Sequence, residues 1–240
     1  VVLPSDHTIA DIESFHAVVE TAISLATDGD LVTFGALALR PETGYGYIEM
    51  GEPIEGGFRV ARFKEKPDAS EATRMVDSGT HLWNSGMFVF AAGHLLDEAR
   101  AHSPRLVHDV DQAMPAERTG RVFLDDSFAT VESISIDHAV MEKTDKAVVI
   151  PMDVGWSDIG SWQSVWELTG RDDSGNALAG DVTVVDVTDS YVVSTSKKVA
   201  VAGVDGLVVV ETPEAVLIVS MEKSQLVRDL VHRSEQDRAD

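Results

Sequence analysis

The sequence predicts an α/β fold followed by a small module of stacked strands, and three observations predict it. An apolar strand, an amphipathic helix and a second apolar strand follow one another up to residue 39, the order that builds an α/β layer. The composition then changes near "GRDDSGNALAGD", residues 170–181. Beyond that point short Val-rich runs recur at intervals of roughly ten residues, a pattern of stacked strands. With 240 residues, 44% of them hydrophobic, the chain can bury a sizeable core in a main domain with a smaller appendage. The expected domains are therefore residues 1–170 and residues 171–240, the second ending in a helix.

Taken in order, residues 1–3 form a short strand. Asp11 caps a helix over residues 11–26, in which Ile12, Phe15, Val18, Val19, Ala22 and Ile23 recur at helical spacing. "LVTFGALAL", residues 31–39, is apolar almost throughout and ends at a proline, as a strand covered on both faces does. "YGYIEMG" and "FRVARFKEKPD" alternate around an "EGG" turn and read as a hairpin. A helix over residues 70–78 follows. "WNSGMFVFAAGHLLDEARAHSP" is a strand turning into a helix that stops before Pro104, and "KAVVIPMDVGW" is a later buried strand. Residues 161–169 form a helix with Trp162 and Trp166 one turn apart. The runs "VTVVDV", "YVVSTS", "VAVAGV", "LVVVET" and "AVLIVSM" make up the module.

Lys and Arg total 19 against 41 Asp and Glu, a formal net charge of -22. Such a field repels phosphate backbones and anionic lipid, so nucleic acid and membrane surfaces are not expected partners. Nucleotides stay in play, because local lysines, backbone N–H groups and a divalent cation offset phosphate charge within a site. The chain has no cysteine, which excludes thiolate catalysis and Cys-ligated zinc. No apolar run is long enough to span a bilayer and the first residues carry no signal-peptide pattern, so a cytoplasmic location is the default expectation. The chain opens directly on an apolar strand without an initiator Met, as though entered partway through a fold.

Several short stretches carry candidate chemistry. Asp6 in "PSDH" follows the carboxyl end of a strand, where open α/β sheets bind ligands, and it could equally initiate the turn into the next helix. Asp158 in "GWSDIGSW" also follows an apolar strand, and it reads either as a helix cap or as a metal ligand. Together the two aspartates would suit Mg²⁺, which takes one or two carboxylates and fills its other positions with water and phosphate oxygens. Gly44 and Gly46 in "PETGYGYI" lack the third glycine of a dinucleotide fingerprint but would let backbone approach a ligand. Glu65 and Lys66 in "FKEKPD" stand at a strand end before Pro67, either as a solvated charge run or as a carboxylate for sugar hydroxyls beside a lysine for phosphate. In "LWNSGMF", Asn84 and Ser85 interrupt an apolar strand with groups that need partners. The eight histidines show no ligand spacing.

"PSDH", "PETGYGYI", "FKEKPD", "LWNSGMF", "SIDHAVMEKT" and "GWSDIGSW", in this order, resemble the mannose-1-phosphate guanylyltransferase family. The resemblance runs on into "VVVETPEAVLIV", which is similar to the short β-helical module behind that family's catalytic domain. It implies a Rossmann-like nucleotidyltransferase domain making GDP-mannose and pyrophosphate from GTP and mannose 1-phosphate. It also implies metal at Asp6 and Asp158, sugar contacts at Glu65 and Asn84, sugar phosphate at Lys66, and a ligand against Gly44 and Gly46; Ser85, the polar neighbour of Asn84 in the same strand, is expected in the substrate-binding set with them. The catalytic set is then Asp6, Lys66 and Asp158, with Mg²⁺ as cofactor and a homodimer as a compatible assembly. The family's Gly-rich loop with its Arg, and the Pro-Lys pair after it, have no counterpart before "PSDH", so this stretch of chain is expected to be inactive alone. Two readings compete: a non-catalytic sugar-phosphate-binding or regulatory relative, and a metal-dependent glycosyltransferase.

Overall fold

The computed structural model describes residues 1–116 and 120–236, and the chain forms two compact units, Val1–Trp156 and Ser157–Asp240. In the first, helix α1 (Ile12–Thr27) begins where the sequence places it, with the Asp11 carboxylate accepting from the Ser14 N–H at 3.0 Å. Its inner face buries Phe15, Ala22 and Ala26, whereas Ile12 and Ile23 sit at the margin of that face and stay about half exposed. Strand β1 (Leu31–Leu37) is buried from Leu31 to Ala36, as its unbroken apolar run requires. Strands β2 (Tyr47–Ile54) and β3 (Gly57–Lys64) form the expected hairpin, Ile54 facing Gly57 across the turn. Helix α2 (Ala69–Ser78) is capped by Asp68 and stopped by Gly79 in the left-handed conformation.

Strand β4 (His81–Val89) leads into α3 (Ala92–His102), which ends before Pro104. That proline also opens a further helix, α4 (Pro104–Ala113), since a first-turn position needs no N–H. Strand β5 (Ala147–Met152) completes the sheet, whose order β1-β4-β2-β3-β5 closes on itself. The β1/β5 pair is parallel, from Leu31 beside Ala147 to Ala36 beside Met152, and the other pairs are antiparallel. Phe15, Ala22 and Ala26 of α1 pack with Phe34, Val148 and Ile150 of the sheet in the main core cluster.

The second unit begins before residue 170 because helix α5 (Trp162–Leu168) finds its partners among the later strands. The Trp166 indole N–H donates to the Gly175 carbonyl at 2.9 Å, and the Trp162 ring lies 5.8 Å from that of Tyr191. Strands β6 (Ala177–Ala179), β8 (Tyr191–Ser194) and β10 (Leu207–Glu211) run parallel in one sheet, and β7 (Val182–Thr188) and β9 (Val199–Asp205) run parallel in another. From β6 to β10 successive strands therefore alternate between two sheets, and each meets its parallel neighbour two strands later. Strand β11 (Val216–Ser220) reverses direction against β10, and a short helical segment leads to α6 (Val227–Gln236). Among the described residues, no helix is long and apolar enough to cross a membrane.

The turn after β8 is organised by a buried carboxylate. Glu211 is 1% exposed and accepts from the N–H groups of Thr195, Ser196 and Lys197 and from the hydroxyls of Ser194 and Ser196. The Ser196 hydroxyl and these backbone donors, acting on the charged form, hold its pKa down at about 2.

Candidate functional site

Four of the motifs meet along a row of aromatic side chains in the first unit. The Trp156 indole N–H donates to His7 Nδ1 at 3.2 Å, and the two rings meet edge to face at 5.5 Å. Tyr45 packs against both Trp156 and Trp83, at 5.5 and 5.2 Å between ring centroids, and the Arg40 guanidinium covers the far ring. Beneath this row the N–H groups of Ala10 and Asp11 share the Val154 carbonyl. "PSDH", "PETGYGYI" and "LWNSGMF" are thus assembled around the end of β5.

Beside the row lies a polar cradle built on Gly46. Tyr47 pairs with Lys64 on one side and with Trp83 on the other, so Gly46, Glu65 and Asn84, each one residue beyond that register, come side by side. The Asn84 N–H donates to the Gly46 carbonyl at 2.8 Å. A Cβ at residue 46 would stand 2.6 Å from Glu65 Oε2 and 3.4 Å from Asn84 Cβ, so the carboxylate occupies the place of a side chain. Strand β4 bulges here: Thr33 faces Phe88 but Gly35 faces Asn84, and Gly86 takes φ 67. A bulge of this kind re-aims the side chains around it. Asn84 Oδ1 accepts from the Gly86 N–H at 3.2 Å, and Asn84 Nδ2 donates to Asp137 Oδ1 at 2.9 Å. These two bonds assign the orientation of the amide. Ser85, expected beside Asn84 at the ligand, turns inward instead, donating to the Phe34 carbonyl at 2.7 Å and accepting from the Met87 N–H. It braces β4 against β1 while its neighbour faces the cradle.

Asp137 had no assigned role in the sequence, although it lies in "SIDHAVMEKT". It reaches the cradle from a π-helical turn, Asp137–Met141. Burial pushes its carboxyl above the usual carboxylate range and the Glu65 charge adds to that, while the bond from Asn84 opposes it.

Lys66 stands at the rim. Its ammonium lies 2.9 Å from Glu65 Oε1, with the two side chains 57% and 38% exposed, so the pair is weak and easily exchanged for a better anion. The Lys66 backbone has φ 42, a strained conformation for a residue with a side chain. Gly44 lies in the preceding loop, where its N–H donates to Glu42 Oε1 at 3.0 Å and the Tyr47 hydroxyl donates to the Glu42 carbonyl at 3.0 Å.

Asp158 does not cap the helix that follows it. Ser161 holds that place, its hydroxyl oxygen accepting from the Ser164 N–H at 3.1 Å, because α5 begins at Trp162 and Asp158 stands too far upstream. Asp158 Oδ1 instead accepts from the Gly160 N–H at 2.8 Å, an Asx turn that carries Ile159 at φ 50. Asp6 is an exposed residue at a bend after Pro4. Asp6 belongs to the first unit and Asp158 to the second. Both supply hard carboxylate oxygen, the donor type Mg²⁺ takes. Among the described residues, no group of three or more His, Asp or Glu side chains gathers as a metal-binding cluster.

The family described as nucleotidyl transferase matches residues 1–174, and the MannoseP isomerase/GMP-like beta-helix domain matches residues 180–233. The chain is 44% identical to the mannose-1-phosphate guanylyltransferase of Escherichia coli K12, over 98% of this chain and 51% of that protein. It is also 44% identical to the xanthan biosynthesis protein XanB of Xanthomonas campestris pv. campestris B100, over 96% of this chain and 50% of that one. The chain thus spans about half the length of these curated relatives. The crystal structure of a "mannose-1-phosphate geranyltransferase" from Thermus thermophilus superposes with a TM-score of 0.81 at 30% identity, covering 98% of this chain and 69% of that one.

Proposed function

The chain belongs to the nucleotidyl transferase family, among the mannose-1-phosphate guanylyltransferases that carry a β-helix domain, and from that premise we propose that the intact protein makes GDP-mannose and pyrophosphate from GTP and mannose 1-phosphate. The observation that carries the reading is the cradle of Glu65, Gly46 and Asn84 with Lys66 at its rim. A carboxylate and an amide suit sugar hydroxyls, and a half-exposed ammonium beside them suits the phosphate of the same small molecule. Gly44 and Gly46 let backbone approach the ligand, and the Ser85 brace keeps Asn84 in place.

In the reaction a phosphate oxygen of mannose 1-phosphate attacks the α-phosphorus of GTP in line. One phosphorus–oxygen bond forms, the bond to the β-phosphate breaks, and pyrophosphate leaves with its electron pair. The nucleophile is already anionic, so positioning and charge neutralisation carry the catalysis. Asp6 in the first unit and Asp158 in the second are each assigned as a carboxylate ligand for Mg²⁺, which would supply neutralising charge to the phosphates when bound. Lys66 contributes by releasing Glu65 and pairing with the sugar phosphate. Transfer is assigned to the domain expected over residues 1–170. The net charge of -22 favours small anionic substrates taken with a cation over nucleic acid or membrane, in the cytoplasmic setting the sequence suggests.

The test is pyrophosphate release by the intact protein supplied with GTP, mannose 1-phosphate and Mg²⁺. Asp158→Asn should abolish Mg²⁺-dependent turnover with little change in Tm, since Asn can still accept from the Gly160 N–H. Turnover with an unaltered metal requirement would remove Asp158 from the metal site. No release by the unsubstituted protein would remove guanylyl transfer itself.

A further inference from the structure

The reaction just described makes no use of Asp137, yet its placement is costly. A carboxylate withdrawn from water needs donors, and Asp137 Oδ1 receives one from a neutral amide, Asn84, contributed by a strand distant in sequence. Among the described residues, no other side chain donates to this carboxylate. The side chain does not cap its own turn either; the turn is closed by the backbone, with the Glu142 N–H donating to the Asp137 carbonyl at 2.9 Å. The neighbouring charges do not relieve it. Glu65 repels it from the end of β3 while paired with Lys66, and within its own turn Glu142 is paired with His138 at 2.8 Å.

Two carboxylates and an oriented amide around one glycine form a selective chemical surface. Glu65 and Asp137 repel phosphate but accept from hydroxyls. Asn84 has one N–H and its Oδ1 committed, which leaves one N–H for a ligand oxygen. A ligand that offers several hydroxyl donors and one acceptor, with its negative charge held away toward Lys66, answers all of these needs. A hexose 1-phosphate does so.

We propose that Asp137 determines sugar recognition: through Oδ1 it fixes the Asn84 amide, and through Oδ2 it accepts a hydroxyl of the hexose ring. This rests on the assignment of the cradle to the sugar phosphate under the proposed function. The test compares Asp137→Ala and Asp137→Asn in the intact protein, with melting curves to establish folding, steady-state kinetics for both substrates, and calorimetric binding of mannose 1-phosphate. Asp137→Ala should raise KM for mannose 1-phosphate by about tenfold to a hundredfold and leave KM for GTP within about twofold. It should also narrow the preference for mannose 1-phosphate over glucose 1-phosphate. Asp137→Asn keeps an acceptor for Asn84 and should recover part of the loss, and it carries the test alone if the Ala variant fails to fold. Equal changes in both KM values, or none, would overturn the proposal. If the unsubstituted protein binds mannose 1-phosphate without turning it over, and the variants bind it more weakly, the sugar role of Asp137 stands and guanylyl transfer falls. If it binds no sugar phosphate, the cradle assignment falls and the proposal with it.

Discussion

Gly46 is a glycine because the carboxylate of Glu65 lies where a side chain would begin. Since the obstructing atom is the end of a flexible, partly exposed side chain, Gly46→Ala should fold with a stability loss of about 1 kcal/mol or less. Glu65 must then swing away, and kcat/KM for mannose 1-phosphate should fall by roughly tenfold, about 1.4 kcal/mol. Kinetics alongside a chemical denaturation curve would check this; an unchanged kcat/KM would mean that Glu65 does not act from its observed position. Much of this was legible in the chain, because Gly46 and Glu65 stand at strand ends and Asn84 interrupts an apolar strand. Asp137 was not, since a π-helical turn has no apolar period to announce it and its partner comes from another strand. Asp158 left two readings open in the sequence for a related reason. An aspartate shortly before a helix looks like a cap, and only the register of the first turn shows that Ser161 takes that place.

At the level of single elements, the bulge in β4 decides where Asn84 points. Gly86 and Gly79 offer a controlled comparison, with φ 67 and 66 and no atom within 4 Å of a built Cβ at either position. Alanine at either should cost a similar amount of stability, about 1–2 kcal/mol, from backbone strain alone. Only Gly86→Ala should also raise KM for mannose 1-phosphate, because the Gly86 N–H holds Asn84 Oδ1. Matched effects of the two substitutions on KM would detach the bulge from recognition. The elements themselves were largely readable: the Asp11 cap, the hairpin around "EGG" and the stop before Pro104 all follow from local residue chemistry. The start of α4 at that same proline was not, because a proline that ends one helix can equally open the next or lead into a loop, and the bulge at "NSG" was not, because it depends on what pairs across from it.

Across the whole molecule, an acid response is built into the second unit. Glu211 holds the turn after β8, and its folded pKa of about 2 lies below the ordinary glutamate value of 4.5. Its stabilisation is therefore fully present above about pH 4.5 and is lost as pH falls toward 2. Glu211→Gln should lower the melting temperature of the second unit at neutral pH and flatten its decline over that acid range. Hydrogen exchange resolved by unit would measure this, and a variant as acid-sensitive as the parent would exclude Glu211 as the cause. The ten-residue rhythm of Val-rich runs revealed the strands of this unit but not their partners, since β6, β7 and β8 each pair with the second strand after them whereas β10 pairs with the next one. The first unit carries a consequence of another kind. Strand β1 lies between β4 and the much later β5, so its ladder cannot be completed until residues 147–152 exist. A chain leaving the ribosome can pair β2, β3 and β4, and with them the ground of the cradle, while one edge of β1 still waits for a strand not yet synthesised.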